Sequence, residues 1–430
     1  MISSQETLDR AISRARKRLV PFLLLMYVVA FLDRANIGFA KQALETHAGI
    51  TPEGYAFAAG VFFISYAVFE VPSNLILHKV GARLWMARIM VTWGLVSMAM
   101  MFVVGSRSFY ALRLLLGAAE AGFFPGVILY LTYWFPNRAR AQVFGLFYFG
   151  APLALIFGGP ISGFLLQMNP VGSLQNWQWM FLVEGSLAVA VGIWSYKYLD
   201  NRPVDVNWLS TAEKSALEEA LAREESQQYP HSSFNLAAML RDPHLLRFVL
   251  IYFLLQMSIY GVVFYLPSEV STLMNKPAGS EVGLVSAIPW ICAIAGAFLL
   301  PRLADRLKQR RRVAAIALAV TACASFLFPL VGPRAGLISL SIAATGLIAV
   351  QPLFWTFPTS YLSGGAAAAG LAMINALGAV GGFVAPNVKT WADEHFGSPR
   401  AGLFVLATVT LLNAGLIAIV RTHHPRDKIT

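Results

Sequence analysis

LVPFLLLMYVVAFLDRANIGFA, residues 19–40, is apolar enough to enter a bilayer, yet it carries Asp33 and Arg34 side by side within it. An α-helix needs about 20 predominantly apolar residues to cross a hydrocarbon core of roughly 30 Å, and this run has that length. Comparable runs recur near 54–77, 87–104, 108–131, 142–166 and 179–198, then near 244–267, 280–303, 313–331, 336–360, 367–391 and 402–420. The reading is an all-α membrane protein with twelve transmembrane helices. With 57% hydrophobic and only 13% charged residues in 430, the chain is too apolar for a soluble domain of its size. An outer-membrane barrel would show short alternating strands in place of these continuous runs.

The formal charge of +11 raises the question of a nucleic-acid surface, and the location of the charge answers it. With the N-terminus inside, most of the 33 Lys and Arg residues fall in alternate connections: Arg10 to Arg18, Lys79 to Arg88, Arg138 and Arg140, the middle loop, Arg302 to Arg312, and Arg421 to Lys428. Lys41, Arg107, Lys276, Arg334, Lys389 and Arg400 are left outside. That asymmetry is the positive-inside pattern. It predicts an inner-membrane protein with both termini cytoplasmic, in contact with lipid and not with nucleic acid. Cys292 and Cys323 lie inside predicted helices and have neither disulfide nor metal-ligand spacing. No small-residue cleavage site follows the first span, which is therefore expected to remain in the protein.

One long polar interval divides the spans into six and six. The expected organisation is an N-terminal tail over 1–18, a six-helix bundle over 19–198, a cytoplasmic middle loop over 199–243, a second bundle over 244–420, and a tail over 421–430. Inside the loop, Ser210 or Thr211 with Glu213 marks a helix start. The basic turns NLILHKVGARLWMAR (74–88) and PRLADRLKQRRR (301–312) occupy equivalent places in the two halves. Repeated six-helix halves imply a secondary transporter whose substrate binds near the midplane.

A charge at the bilayer centre costs roughly 2.5–3.5 kcal/mol or more, so each one calls for a function or a partner. The candidates are Asp33, Arg34, Glu70, Arg113, Glu120 and Glu184, all in the first half; the second-half spans show none well inside. Asp33 and Arg34 diverge by about 100° around their helix and do not face each other. Arg113 and Glu120, seven apart, share one face but stand roughly 10 Å apart along the axis, leaving room for a substrate or another helix's residue. Burial favours a neutral carboxyl and a neighbouring guanidinium favours a charged one. Asp33 and Glu120 can thus load and release protons as the arginines engage an anion, whose carboxylate suits the planar guanidinium fork. The competing reading is a purely structural ion-pair network. Glu70 in FEVPSN and Glu184 in FLVEGS read equally as structural or functional. Polar wall candidates are Asn36, Tyr66, Gln256, Tyr260, Trp355 and Asn375.

The residues at this point resemble a known family. EVPSNLILHKVGAR (70–83), RLLLGAAEAGFFPG (113–126), LTYWFPNRARA (131–141), NWQWMFLVEG (176–185) and DNRPVDVNWLSTAEK (200–214), together with LDRAN, are similar to the major facilitator superfamily and, within it, the anion:cation symporters. The resemblance implies the two-bundle facilitator fold with alternating access. It also implies import of an organic acid such as tartrate, a sugar acid or an aromatic carboxylate, with protons as the coupling ion and no other cofactor. By position, Asp33 and Glu120 match protonatable carboxylates, Arg34 and Arg113 the arginines, and Tyr66 and Asn375 substrate contacts; Asn36, Gln256 and Trp355 complete the expected substrate wall. The superfamily's loop motif departs from its pattern after the second span, with Asn74 and His78 at its first Gly and its Asp. After the eighth span Asp305 and Arg306 are kept, so Arg83, Asp305 and Arg306 are the candidate gating residues.

The competing functions are a proton-antiporting efflux pump of the same fold and a non-transporting receptor. Buried arginines argue against cationic drugs, and the chain has no signalling domain. No nucleophile–base pair, metal cluster or phosphate loop points to an enzyme. The fold is expected to act as a monomer.

Overall fold

The computed structural model describes residues 4–169, 172–227, 241–362 and 365–420. The first half contains α1 (Ser4–His47), α2 (Pro52–Val80), α3 (Ala82–Ala99), α4 (Gly105–Glu120), α5 (Phe123–Thr132), α6 (Asn137–Tyr148), α7 (Gly150–Gln167) and α8 (Asn176–Tyr198). After α9 (Thr211–Gln227) come α10 (Pro243–Met274), α11 (Ser280–Leu307), α12 (Arg310–Leu327), α13 (Pro333–Tyr361), α14 (Gly365–Ala379), α15 (Gly381–His395) and α16 (Ala401–Ala418). Among the described residues there is no strand. These helices make twelve candidate membrane spans, with α4 and α5, α6 and α7, and α14 and α15 each forming one broken span.

The breaks and the first helix's start differ from the apolar runs for physical reasons. Polar residues 4–18 continue α1 below its apolar core, where Ala11 and Ala15 are fully buried. Arg14 pairs with Glu213 of α9 at 2.9 Å, Arg138 of α6 with Asp9 at 2.6 Å, and Arg16 with Gln142 at 2.8 Å, so the expected tail is a docked helical extension. Ser210 and Glu213 cap α9 reciprocally, the Ser210 amide donating to the Glu213 carboxylate at 2.9 Å and the Glu213 amide to the Ser210 hydroxyl at 3.3 Å. Between α4 and α5, Gly122 takes φ +85°, a conformation that disfavours any Cβ, and a Cβ there would also strike the Ser73 side chain. That break falls immediately after Glu120. Residues 228–240 and 421–430, including His231 and the basic residues of the C-terminal tail, lie outside the described residues.

Equivalent pairs pack in the two halves: α3 on α8 and α2 on α4 in the first, α12 on α16 and α11 on α13 in the second. The halves meet through α7 on α11, α2 on α15 and α1 on α10. At the end away from Ser4 this seam is backbone-tight. A Cβ on Gly159 or Gly163 of α7 would collide with the carbonyl of Gly283 or Gly279 across the seam. At the opposite end the seam is thinner, with Asn375 donating to Glu70 at 3.1 Å and the rings of Phe149 and Phe298 stacked at 4.5 Å. The expectation of a second half without buried charge inside its spans is corrected by Lys389. It is 6% exposed within α15, pairs with Asp393 one turn on at 2.7 Å, and sits 4.5 Å from the Tyr265 ring.

Candidate functional site

Because neighbouring side chains on a helix diverge by about 100°, Asp33 and Arg34 leave α1 toward different partners. Asp33 turns to α3, where it is 2% exposed and accepts from the Trp93 indole at 2.8 Å and the Ser97 hydroxyl at 3.0 Å. Its partners are neutral donors, not arginines. Arg34 reaches the last residue of α4 and forms an ion pair with Glu120, while its other amino group donates to the Tyr260 hydroxyl of α10 at 3.0 Å. Rings wall it on several sides, with the centroids of Phe31, Phe62 and Tyr66 at 5.1, 5.1 and 5.3 Å from the guanidinium carbon. Such contacts hold a cation where water is scarce.

Arg113, only 1% exposed, points from α4 to α2. It donates from Nε to the Ala58 carbonyl at 3.1 Å and from Nη2 to the Ala59 carbonyl at 3.3 Å, with its guanidinium carbon 4.9 Å from the Phe62 ring. Among the described residues no carboxylate pairs with it. Arg34, Glu120, Tyr66, Phe62 and Arg113 therefore form one buried cluster, to which the second half contributes Tyr260. In it one arginine is neutralised by an acid and the other is held by carbonyl dipoles alone.

The remaining candidates divide. Asn36 faces away from Arg34 and donates to Glu184 of α8 at 2.9 Å; Ser162 of α7 donates to the other Glu184 oxygen at 2.7 Å. Both acceptors of that carboxyl are thus satisfied, and it ties three helices. Asn36 and Ser162 also line a small cavity of about 10 Å³ at the seam with Ser286 and Trp290. Asn375 is engaged by Glu70. Gln256, half-buried, precedes Tyr260 by one turn on the same face of α10. Trp355 packs 4.9 Å from the Tyr252 ring. The gating candidates lie at the surface of the end bearing Ser4, and Arg83 and Asp305 are each tied within their own half. The Arg83 side chain donates to the Tyr196 carbonyl at 2.5 Å, Asp305 pairs with Arg310 at 2.7 Å, and Arg306 is exposed. Sequence reasoning left Tyr260 as a remote wall residue although it is the second half's contact to Arg34. Its only signal was a polar pair at helical spacing in an apolar run.

Comparisons with known proteins place the chain in a family. The model of the Major Facilitator Superfamily matches residues 23–386. The chain is 43% identical to the inner membrane transport protein RhmT of Escherichia coli (strain K12), over 98% of this chain and 97% of that protein. It is 40% identical to an Agrobacterium vitis protein named for tartrate transport, over 99% and 98%. It is 39% identical to the quinolone resistance transporter of Acinetobacter baumannii, over 96% and 95%. Among solved structures, the D-xylose-proton symporter superposes with a TM-score of 0.74 over 94% of this chain and 99% of its own, at 13% identity. A bacterial homologue of the lysosomal transporter Spinster, inward-facing and unoccupied, also gives 0.74, over 94% and 96%, at 14% identity. These two likenesses concern the fold alone.

Proposed function

The chain belongs to the Major Facilitator Superfamily, and from that premise we propose that this membrane transporter is a proton-coupled importer of a small organic anion. The observation that carries the reading is the buried Arg34–Glu120 ion pair touching Tyr260 of the opposite half. A guanidinium fork accepts one carboxylate bidentately. When the carboxylate of an incoming anion takes Arg34, Glu120 loses its counter-charge and is stabilised by a proton instead; when the anion leaves, Arg34 and Glu120 pair again and the proton is released. Anion and proton thus move together. Asp33 of α1, hydrogen-bonded among the described residues to Trp93 and Ser97, is a second proton carrier beside Arg34. Arg113, held by the Ala58 and Ala59 carbonyls, keeps the cluster's potential positive without taking Glu120 from Arg34.

The anion reading is supported by the relatives named for tartrate transport and as a metabolite transporter, NicT. We place both termini in the cytoplasm on the distribution of basic residues, and take the monomer as the working unit with no cofactor beyond the proton. Alternating access then rocks α1–α8 against α10–α16 about the cluster, with the glycine-lined seam as the closed outer face. A second reading, efflux, is favoured by the relative named for quinolone resistance and by the aromatic rings around Arg34.

Purified protein in liposomes with an imposed pH gradient, screened with labelled tartrate, galactonate and aromatic carboxylates, separates these readings. Uptake driven by the gradient and lost in Asp33→Asn is expected. Uptake unaffected by collapsing the gradient would reject proton coupling, and extrusion of a quinolone against an inward proton gradient would favour efflux.

A further inference from the structure

We infer that Glu70 is a specificity-determining residue, its free carboxyl oxygen reading a hydroxyl of the substrate, so that the site selects hydroxylated carboxylates over unsubstituted ones. The inference rests on the anion reading above and sharpens it. Glu70 belongs to neither the Arg34–Glu120 pair nor the Asp33 set. It is 5% exposed in α2, and one of its oxygens accepts from the Asn375 amide across the seam at 3.1 Å. The other oxygen, Oε2, is buried and has no partner among the described residues. A buried polar atom left unpaired is costly, more so on a carboxyl group.

Its neighbourhood says what it faces. Tyr66 stands one turn earlier on the same face of α2, and its ring packs on the Arg34 guanidinium at 5.3 Å. Glu70 is therefore one helical turn from a ring that packs on the group taking the anion. Two N–H donors, Arg34 Nε and the indole nitrogen of Trp355, are also buried without an acceptor among the described residues. Trp355 packs on Tyr252, which in turn lies against Gly378, one turn beyond Asn375. Tyr66 thus connects Arg34 to Glu70, and Tyr252 connects Trp355 to the turn of α14 that follows Asn375; across these contacts two N–H donors and one carboxyl oxygen are left unmatched among the described residues.

Ligand chemistries can be compared against that set. An unsubstituted carboxylate supplies acceptors to the two donors but nothing to Glu70. A cation supplies Glu70 and repels Arg34. A carboxylate bearing a hydroxyl group serves all three, its anionic oxygens toward Arg34 and Trp355 and its O–H donated to Glu70 Oε2. Asn375, by holding Oε1, positions the carboxyl and leaves Oε2 for the ligand. Were Glu70 only a latch between the halves, a single oxygen would suffice and substrate preference would be indifferent to it.

The probes are L-tartrate and succinate, which share a carbon skeleton and charge and differ in the two hydroxyls. Gradient-driven uptake of each is measured with full-length protein in phospholipid vesicles for wild type, Glu70→Gln and Glu70→Leu, with a melting curve for each variant. Wild type is expected to favour tartrate by roughly tenfold or more, the worth of one hydrogen bond to a charged group. Glu70→Leu should lower the tartrate-to-succinate ratio by a similar factor while succinate uptake persists. Glu70→Gln, which keeps a carbonyl acceptor, should retain most of the preference. If Glu70→Leu does not fold, the ratio must fall in Glu70→Asp, whose shorter arm withdraws the oxygen. An unchanged ratio, or equal loss of both acids in a folded variant, overturns the inference. So does wild-type protein that accumulates other organic anions but neither probe, and this leaves the anion reading standing; accumulation of no anion at all overturns both.

Discussion

Phe62 is shared by two positive groups, the guanidinium carbons of Arg34 and Arg113 lying 5.1 and 4.9 Å from its ring centroid. The two arginines differ in what they can give up. Arg34 is paired with a carboxylate that the proposed mechanism exchanges for the anion's, whereas Arg113 is held by the Ala58 and Ala59 carbonyls. A lysine ammonium is a single point and cannot span both carbonyls as the planar fork does. Arg113→Lys should therefore lose most transport although the charge is kept, as initial rates of anion uptake will show; near-normal rates would mean that charge alone matters. The four charged residues were legible as charges in apolar runs, because burying them is costly. Their pairing was not. The seven-residue spacing of Arg113 and Glu120 gives a common face and nothing more, and it takes the tertiary fold, which brings the Arg34 side chain within reach of the end of α4, to make Arg34 the partner of Glu120. Glu70 was legible as a buried acid, but its role depends on Asn375, which is 305 positions away.

At the scale of elements, the twelve apolar runs overlap the twelve candidate spans, but α1 runs from Ser4 to His47 where the apolar run covers 19–40, and what was missed follows from local chemistry. The basic segment before residue 19 reads as a soluble tail by hydropathy alone, yet Arg14 and Asp9 find partners on α9 and α6 that prolong the helix. The break after Glu120 was hidden because Gly122 stands in a run with other glycines and small residues, and only its φ of +85° singles it out. Alanine at a position with φ above zero costs more than about 1 kcal/mol. Gly122→Ala should accordingly lower the melting temperature and, by shifting the end of α4, weaken gradient-driven uptake more than binding; an unaltered melt with full transport would show that the break is incidental. The seam offers a second test. A side chain on Gly283 cannot fit against the Gly159 carbonyl, so Gly283→Leu should hold that end open. Ser286, one turn away and 1% exposed, reports on this. With Cys292 and Cys323 replaced by alanine, Ser286→Cys should be protected from an impermeant thiol reagent in the parent and labelled in Gly283→Leu. Equal protection in both would refute the tight seam as the closure.

For the whole molecule, an even number of crossings returns the chain to the side from which it starts, and the α1 extension and α9 pack together at that end. The two-half architecture was legible from the polar interval and the repeated basic turns, and the equivalent pairs α3 on α8 and α12 on α16 are its structural form. What the pattern did not reveal was how the halves communicate. That depends on Tyr260 touching Arg34, on Asn375 touching Glu70, and on glycines whose only visible property is the absence of a side chain. On the proposed mechanism, coupling across the molecule reduces to one exchange, in which Arg34 holds either Glu120 or the anion. The most direct measurement compares, in the same liposomes, exchange of labelled for unlabelled anion with accumulation driven by a pH gradient in Glu120→Gln. The expected result is exchange near the wild-type rate with accumulation lost, because the amide neither pairs as an anion with Arg34 nor carries the proton. Full gradient-driven accumulation by Glu120→Gln would contradict the coupling mechanism.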